Sequence, residues 1–351
     1  MQSLQFALSD SSELISGTLK SLALKAHSSC KHLSTTHKKS QLRSSNRKTS
    51  GSFNKITSPI ENTNIIDALQ PTKPYTVFTS MNKYTTNLEN KLRSAQAGIM
   101  LNFSPTINIG LAYNCNKKEY KEYSGAQLNS SNGSVKSKST TDGLAAIFTL
   151  NPEKKGLTGT MIGSYNWGKV TNSRRVTHGE KHIVTKGSPD ITLTGGLVQI
   201  GYNIPTIKTL MLTPYVECLI SNVRWSPYTE KQSPVTYKIS ENRKNLLEKS
   251  IGLKTKCELT EHSQLQTWIV GSSGLKKTNS LSSNSMITPL FKYTISAPSY
   301  KKKYTKAEGG LSYEVQLSPT LTLGVDGILS FEKIKKIEKK QHMFLHFNYY
   351  Y

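Results

Sequence analysis

The stretch Gln341-His-Met-Phe-Leu-His-Phe-Asn-Tyr-Tyr-Tyr351 alternates strictly between two faces. Met343, Leu345, Phe347, Tyr349 and Tyr351 share one side, and His342, Phe344, His346, Asn348 and Tyr350 share the other. Successive side chains of a strand point to opposite faces of its sheet, so this pattern predicts a strand with one greasy face. About ten residues are enough to cross a bilayer as a tilted strand. A strand of that length, apolar on one side and ending in aromatics, fits a barrel closed in lipid. A soluble edge strand would carry charges to discourage pairing.

Reading the rest of the chain for the same period gives twelve candidate strands, near 74–83, 95–103, 106–115, 141–150, 157–168, 192–203, 208–222, 247–259, 263–272, 304–317, 320–331 and 341–351. In the segment Thr106 to Cys115, Ile107, Ile109, Leu111 and Tyr113 alternate with Asn108, Gly110, Ala112 and Asn114. In the segment Thr320 to Phe331, Leu321, Leu323, Val325, Leu329 and Phe331 oppose Thr322, Gly324, Asp326 and Ser330. The connections are uneven. Ser104-Pro105, 151–155, 204–207, 260–262 and Ser318-Pro319 are short, whereas 116–139, 169–190, 223–246 and 273–303 are long and polar. Short turns at one end and long loops at the other mark outer-membrane barrels. The expected fold is therefore all-β: an antiparallel transmembrane barrel of twelve strands, with Leu321, Leu323, Val325, Phe347 and Tyr349 toward lipid. Asp142, Glu217, Glu258, Glu314 and Asp326 are expected to face a polar lumen. An all-β soluble sandwich is the alternative, since antiparallel sheets also alternate when one face is wet.

The formal net charge of +24 raises the question of nucleic acid. Much of the charge falls outside the alternating segments. No acidic residue occurs from Leu14 to Ile60, where Lys20, Lys25, Lys31, Lys38, Lys39, Arg43, Arg47, Lys48 and Lys55 lie, and other clusters sit at 301–303 and 333–340. A nucleic-acid groove would interleave aromatics with such charges. The expectation is solvated linker and loops without a nucleic-acid partner, the basic loops offering contacts to anionic lipopolysaccharide. Cys30, Cys115, Cys218 and Cys257 are far apart, which supports neither a disulfide framework nor a metal site. The N-terminal Met1-Gln-Ser-Leu-Gln-Phe lacks the basic and apolar regions of a secretory signal, so an exported chain would be a fragment or split product.

Asp10-Ser-Ser-Glu13 has the spacing of a capping box, and Ile15, Leu19, Leu22 and Ala26 follow on one helical face. Such a short helix is marginal alone in water and needs a groove or a tube. The reading is a pore helix within residues 1–30 carrying Glu13, Ile15, Leu19, Leu22 and Ala26, a basic linker over 31–73, and a barrel over 74–351. No catalytic, cofactor or metal constellation emerges. Gly163-Ser-Tyr-Asn-Trp-Gly168-Lys169 begins like a phosphate-binding loop, but Val170 stands where a Mg²⁺-holding hydroxyl belongs, and the glycines lie within an alternating strand.

Helix, linker and terminal aromatic strand together resemble the β-domain of monomeric autotransporters (type V secretion), over about residues 10–351. The most specific patch is Gly201-Tyr-Asn-Ile-Pro-Thr-Ile-Lys-Thr-Leu-Met-Leu-Thr-Pro214-Tyr-Val-Glu217-Cys-Leu, followed by Trp225-Ser-Pro-Tyr-Thr-Glu230. The resemblance implies a barrel in the bacterial outer membrane, a helix threading its pore and an N-terminal passenger displayed at the surface. It also implies insertion by the barrel-assembly machinery, which would read the strand Met343, Leu345, Phe347, Tyr349 and Tyr351. The chain departs from the pattern in ending on Tyr and in lacking an Asn-Asn pair in the helix, so self-cleavage is not implied. A porin or adhesin barrel, or a soluble basic β-protein binding nucleic acid, are the alternative functions.

Overall fold

In the computed structural model the residues described are Leu19, Lys20, Leu22 and Ala23, and from Tyr75 to Tyr350 all but 86–90, 105, 125–132, 151–154, 179–180, 208, 233–234, 289–290, 319 and 334–336. Twelve long strands follow one another: β1 (Tyr75–Thr85), β2 (Lys91–Ser104), β3 (Ile107–Ser124), β4 (Gly133–Leu150), β5 (Gly156–His178), β7 (Asp190–Ile207), β8 (Leu210–Trp225), β11 (Asn242–Thr260), β12 (Ser263–Thr278), β15 (Tyr300–Ser318), β16 (Leu321–Lys333) and β17 (Ile337–Tyr350). Each pairs antiparallel with the next, and β1 pairs with β17 from Thr76↔Tyr350 to Thr85↔Gln341. The ring therefore closes and none of these strands keeps a free edge. Closure is what lipid demands, because hydrocarbon offers no partner to an unpaired amide. All twelve lie on segments where the sequence alternates.

The alternation sorts side chains between an outer wall and an interior. Val325, Leu345, Phe347 and Tyr349 are 39–41% exposed on the outside, where Leu321 and Leu323 share their parity at intermediate exposure. Register sets Leu321 opposite Tyr349 and Leu323 opposite Phe347, so the terminal strand continues the apolar surface of β16 and joins it to Val77 and Thr79 of β1. Several interior rings lie flat over a glycine on the neighbouring strand. A Cβ added at Gly252 would meet the Tyr215 ring at 2.6 Å, and one at Gly310 would overlap the Trp268 ring. These glycines are bare so that an aromatic can cover the backbone, a device that pins register.

The two ends of the barrel differ. At one end the strands stop on hydroxyl-bearing residues: the Ser104 hydroxyl accepts from the amides of Thr106 (3.2 Å) and Ile107 (3.0 Å), and the Ser318 hydroxyl accepts from that of Thr320 (3.2 Å). A serine that satisfies the next backbone amides ends the ladder locally. Register shifts lie beside the turn at Asn102/Ser104, Pro205/Ile207, Glu258/Thr260 and Gln316/Ser318.

At the other end the long polar stretches are themselves β-structure. They extend the barrel strands and add β6 (Lys181–Gly187), β9 (Tyr228–Gln232), β10 (Val235–Ile239), β13 (Leu281–Thr288) and β14 (Phe291–Ala297). β9 pairs with β10, β10 with β13 and β13 with β14, and β6 meets β9 at Lys186↔Lys231. The Tyr228 ring lies over Gly187, and Thr185 and Tyr228 both donate to the buried Glu230 carboxylate, at 3.0 and 3.2 Å. Polarity had suggested plain loops. Once one strand of a hairpin is anchored, its partner gains every backbone hydrogen bond whatever its side chains, so polar segments pair there.

Candidate pore site in the barrel lumen

Leu19, Lys20, Leu22 and Ala23 have helical conformation. Leu19 and Leu22 are 0% exposed and Ala23 is 3% exposed, although Lys20 stands among them with a full charge. They are buried because they sit inside the ring. The three apolar residues belong to one cluster with inward residues that include Phe78 (β1), Met100 (β2), Ala112 (β3), Ile147 (β4), Ile162 (β5), Leu197 (β7) and Leu219 (β8). This apolar cluster, set among buried Ser, Thr, Asn and Gln side chains, receives the apolar face of the segment.

The opposite half is charged. The Lys20 ammonium donates to Glu248 Oε1 at 3.0 Å and lies 3.7 Å from both Glu217 Oε1 and Glu308 Oε1. Glu217 comes from β8, Glu248 from β11 and Glu308 from β15, so one cation joins three staves of the wall. A buried carboxylate is tolerated only when its lone pairs are met. Tyr304 Oη donates to Glu248 Oε2 at 2.5 Å, Gln199 Nε2 donates to Glu217 Oε2 at 3.0 Å, and Lys306 pairs with Glu308. The wall then continues with further buried charges. Lys254 donates to Gln199 Oε1 at 2.5 Å and lies 4.8 Å from the Tyr215 ring centroid, while Lys276 pairs with Glu332 and lies 4.5 Å from that of Tyr304. Cation and ring faces at such distances attract.

The residues singled out in the sequence fall as follows. Glu217 is in this network, Glu314 is buried and accepts from Gln264, and Asp326 is buried on the inward face of β16. Glu258 shares the inward parity of β11 but is exposed, beside the connection at 261–262. Asp142 faces outward, not into the lumen: it shares its side of β4 with exposed Leu144, and the outward-facing Tyr113 hydroxyl donates to it at 2.6 Å. The run Leu144-Ala-Ala-Ile-Phe148 is apolar on both parities, so period alone could not orient Asp142. Glu13, Ile15, Ala26 and Tyr351 lie outside the described residues, as do the side chain of Met343 and the linker over 31–73. Cys115, Cys218 and Cys257 are free thiols. Gly163 and Gly168 lie within β5, with no loop to cradle a phosphate.

Sequence reading missed Lys20, Glu248 and Glu308 as a unit. The signal available was parity, since Glu248, Ser250 and Lys254 alternate with Leu247, Ile251 and Leu253. Which carboxylates converge on which lysine depends on strands far apart in the chain.

A closed antiparallel ring with a charged lumen and an apolar belt is compatible with several barrel families. The family model described as Autotransporter beta-domain matches residues 78–327. The chain belongs to the autotransporter β-domain family. A search of curated proteins finds no match. Among solved structures, the chain is similar to the translocator domain of autotransporter NalP from Neisseria meningitidis, at 17% identity and TM-score 0.52, covering 80% of this chain and 90% of that one. It is also similar to the β-domain of the Bordetella autotransporter BrkA (10% identity, TM-score 0.48, coverage 79% and 98%). A further likeness is to the transport unit of AIDA-I from Escherichia coli (11%, 0.44, 84% and 94%). As an autotransporter β-domain, the chain is an outer-membrane β-barrel. Among the described residues no helix is long and apolar enough to cross a membrane.

Proposed function

We propose that this β-domain anchors and displays an N-terminal passenger, and that the segment around Lys20 is the tether that occupies the pore. The observation that carries the reading is the seat of Lys20 on Glu217, Glu248 and Glu308, with Leu19 and Leu22 buried in the apolar cluster of the lumen. A helix too short to persist in water is held on both faces: apolar contacts orient it, and the single ammonium fixes its depth. The charge arrangement is specific, because an alanine or leucine at position 20 would leave three carboxylates facing one another. The partners in this reading are the passenger, outer-membrane lipid including lipopolysaccharide, and the barrel-assembly machinery. The strand Met343, Leu345, Phe347, Tyr349 and Tyr351 would present the insertion signal. The domain needs no cofactor and performs no catalysis in this role.

The test is a cross-link. In a background with the four native cysteines replaced by serine, Lys20→Cys with Glu248→Cys should be joined by a short bis-methanethiosulfonate, whose spacer replaces the reach of the two lost side chains, in the folded barrel. The product should be resolved by its gel mobility before and after reduction. A pair on the outer wall, Lys20→Cys with Leu247→Cys, should not. Equal yields from the two pairs would rule out a lumenal seat for Lys20.

A further inference from the structure

The outer wall of β8, β11, β12, β15 and β16 carries no acidic side chain at any outward position among the described residues. On β16 the outward positions from Leu321 to Phe331 are apolar or glycine, and Lys333 follows at once. Ten residues rise about 33 Å along a strand, and a barrel tilt brings that to roughly the 25 Å height of an apolar belt. Lys333 thus stands at the upper rim of the belt, at the end of the long loops.

Register gathers other cations beside it. Lys249, Ser273, Thr305 and Lys333 lie in one straight row across β11, β12, β15 and β16. Lys277 lies directly opposite Lys301 on the same outward face, and Lys303 stands opposite Leu275. All five lysines are exposed. Like charges directly opposite on one sheet face repel. The nearby arginines Arg224 and Arg243 are already held by Glu241, at 2.8 and 2.5 Å. A cluster with hydroxyls at its centre and, among the described residues, no carboxylate on its strand face is suited to a phosphate.

We infer that this patch is a binding site for the phosphorylated headgroup of a lipid in the outer leaflet. The inference rests on the membrane-barrel reading and assigns one of its lipid partners to particular residues. Position favours a lipid over a soluble polyanion. Lys249 and Lys333 lie on the side of the wall, immediately above exposed Ile251, Ile269 and Phe331, where acyl chains would pack and headgroups would sit.

The test uses the full chain refolded in phosphatidylcholine nanodiscs containing either bis-phosphorylated lipid A or the same glycolipid with its phosphates removed. Binding is followed with a fluorescent analogue of each. The variant Lys277→Gln/Lys301→Gln/Lys303→Gln should bind the phosphorylated lipid about 100-fold more weakly than wild type, on three lost charges at the membrane surface. Lys186→Gln/Lys238→Gln, in the strands beyond the barrel, should bind as wild type, and removing the phosphates should abolish the difference. Undiminished binding by the triple variant would overturn the site. Equal displacement by free polyphosphate would overturn the lipid as its occupant. Every protein is first run unheated and heated on gels, and a wild-type chain without the mobility shift of a folded barrel would overturn the barrel reading instead.

Discussion

Lys20 is one ammonium held by three carboxylates within 3.7 Å, and its removal leaves them without their shared cation. Breaking a buried ion pair costs about 3–5 kcal/mol. Lys20→Met should therefore loosen the seating of the segment by about 3 kcal/mol, within the range for a broken buried pair. In planar bilayers the variant should show frequent openings, whereas Leu247→Met on the outer wall should not. Val325 tests the opposite face. Val325→Lys places a charge in the apolar belt and should lower stability by about 2–4 kcal/mol in urea unfolding from liposomes if the site is near the midplane. Lysine tolerated there would mean that this face meets water. A third residue, Glu241, lies in the connection before β11, and hydrogen bonding from Arg224 and then Arg243 holds its carboxyl below the ordinary range. A depressed folded value means that the clasp is fully present above the ordinary carboxylate pKa and is lost as pH falls through the folded one. A ¹³C titration of the Glu241 carboxyl should show the depressed midpoint, and Arg224→Gln should return it toward the usual value.

At the scale of elements, the strands were legible because period 2 is written into each of them. Ile107 to Tyr113 alternates without interruption, Leu321 to Phe331 breaks only at Gly327-Ile328, and each becomes a strand whose odd-numbered residues line the outer wall. The extension of β3 and β4 to Ser124 and Gly133, and the hairpins β9–β10 and β13–β14, were not legible. The extensions of β3 and β4 are polar on both faces, so nothing in their pattern separates them from solvated loop. Val235 to Ile239 and Phe291 to Ala297 do alternate, but over runs of only five and seven residues inside otherwise polar stretches. The lumenal site was legible only in part. Glu217 stood out within a motif, but Glu248 and Glu308 acquire meaning only when β8, β11 and β15 are brought round to face the segment. The terminal strand carries a prediction of its own. Replacing Phe347 and Tyr349 with Asp puts two charges on the face that continues β16 and meets β1. In cells, that variant should be absent from the outer-membrane fraction and accumulate as aggregate. Recovery of heat-modifiable protein from that fraction would show that insertion does not depend on this face.

For the whole molecule, the division of the lumen connects sequence to function. Buried inward positions of β1 to β8 are mostly uncharged, an apolar cluster set among Ser, Thr, Asn and Gln, and those of β11 to β16 carry most of the charge, so an amphipathic segment has one favoured rotation inside the ring. In the proposed arrangement the barrel would supply by enclosure the stability that a short helix lacks, and the segment would fill a lumen that otherwise conducts. The outer wall serves a separate purpose, its apolar belt fixing the barrel in lipid and its basic rim proposed to meet the headgroups. The central claim is that the N-terminal segment closes the pore from within. Single-channel conductance of the refolded chain, measured beside the same chain lacking residues 1–30, tests this directly. The intact chain should be mostly closed and the shortened one should conduct steadily with a preference for cations, since Glu217, Glu248 and Glu308 then line an open lumen. Equal conductance of the two would contradict the account.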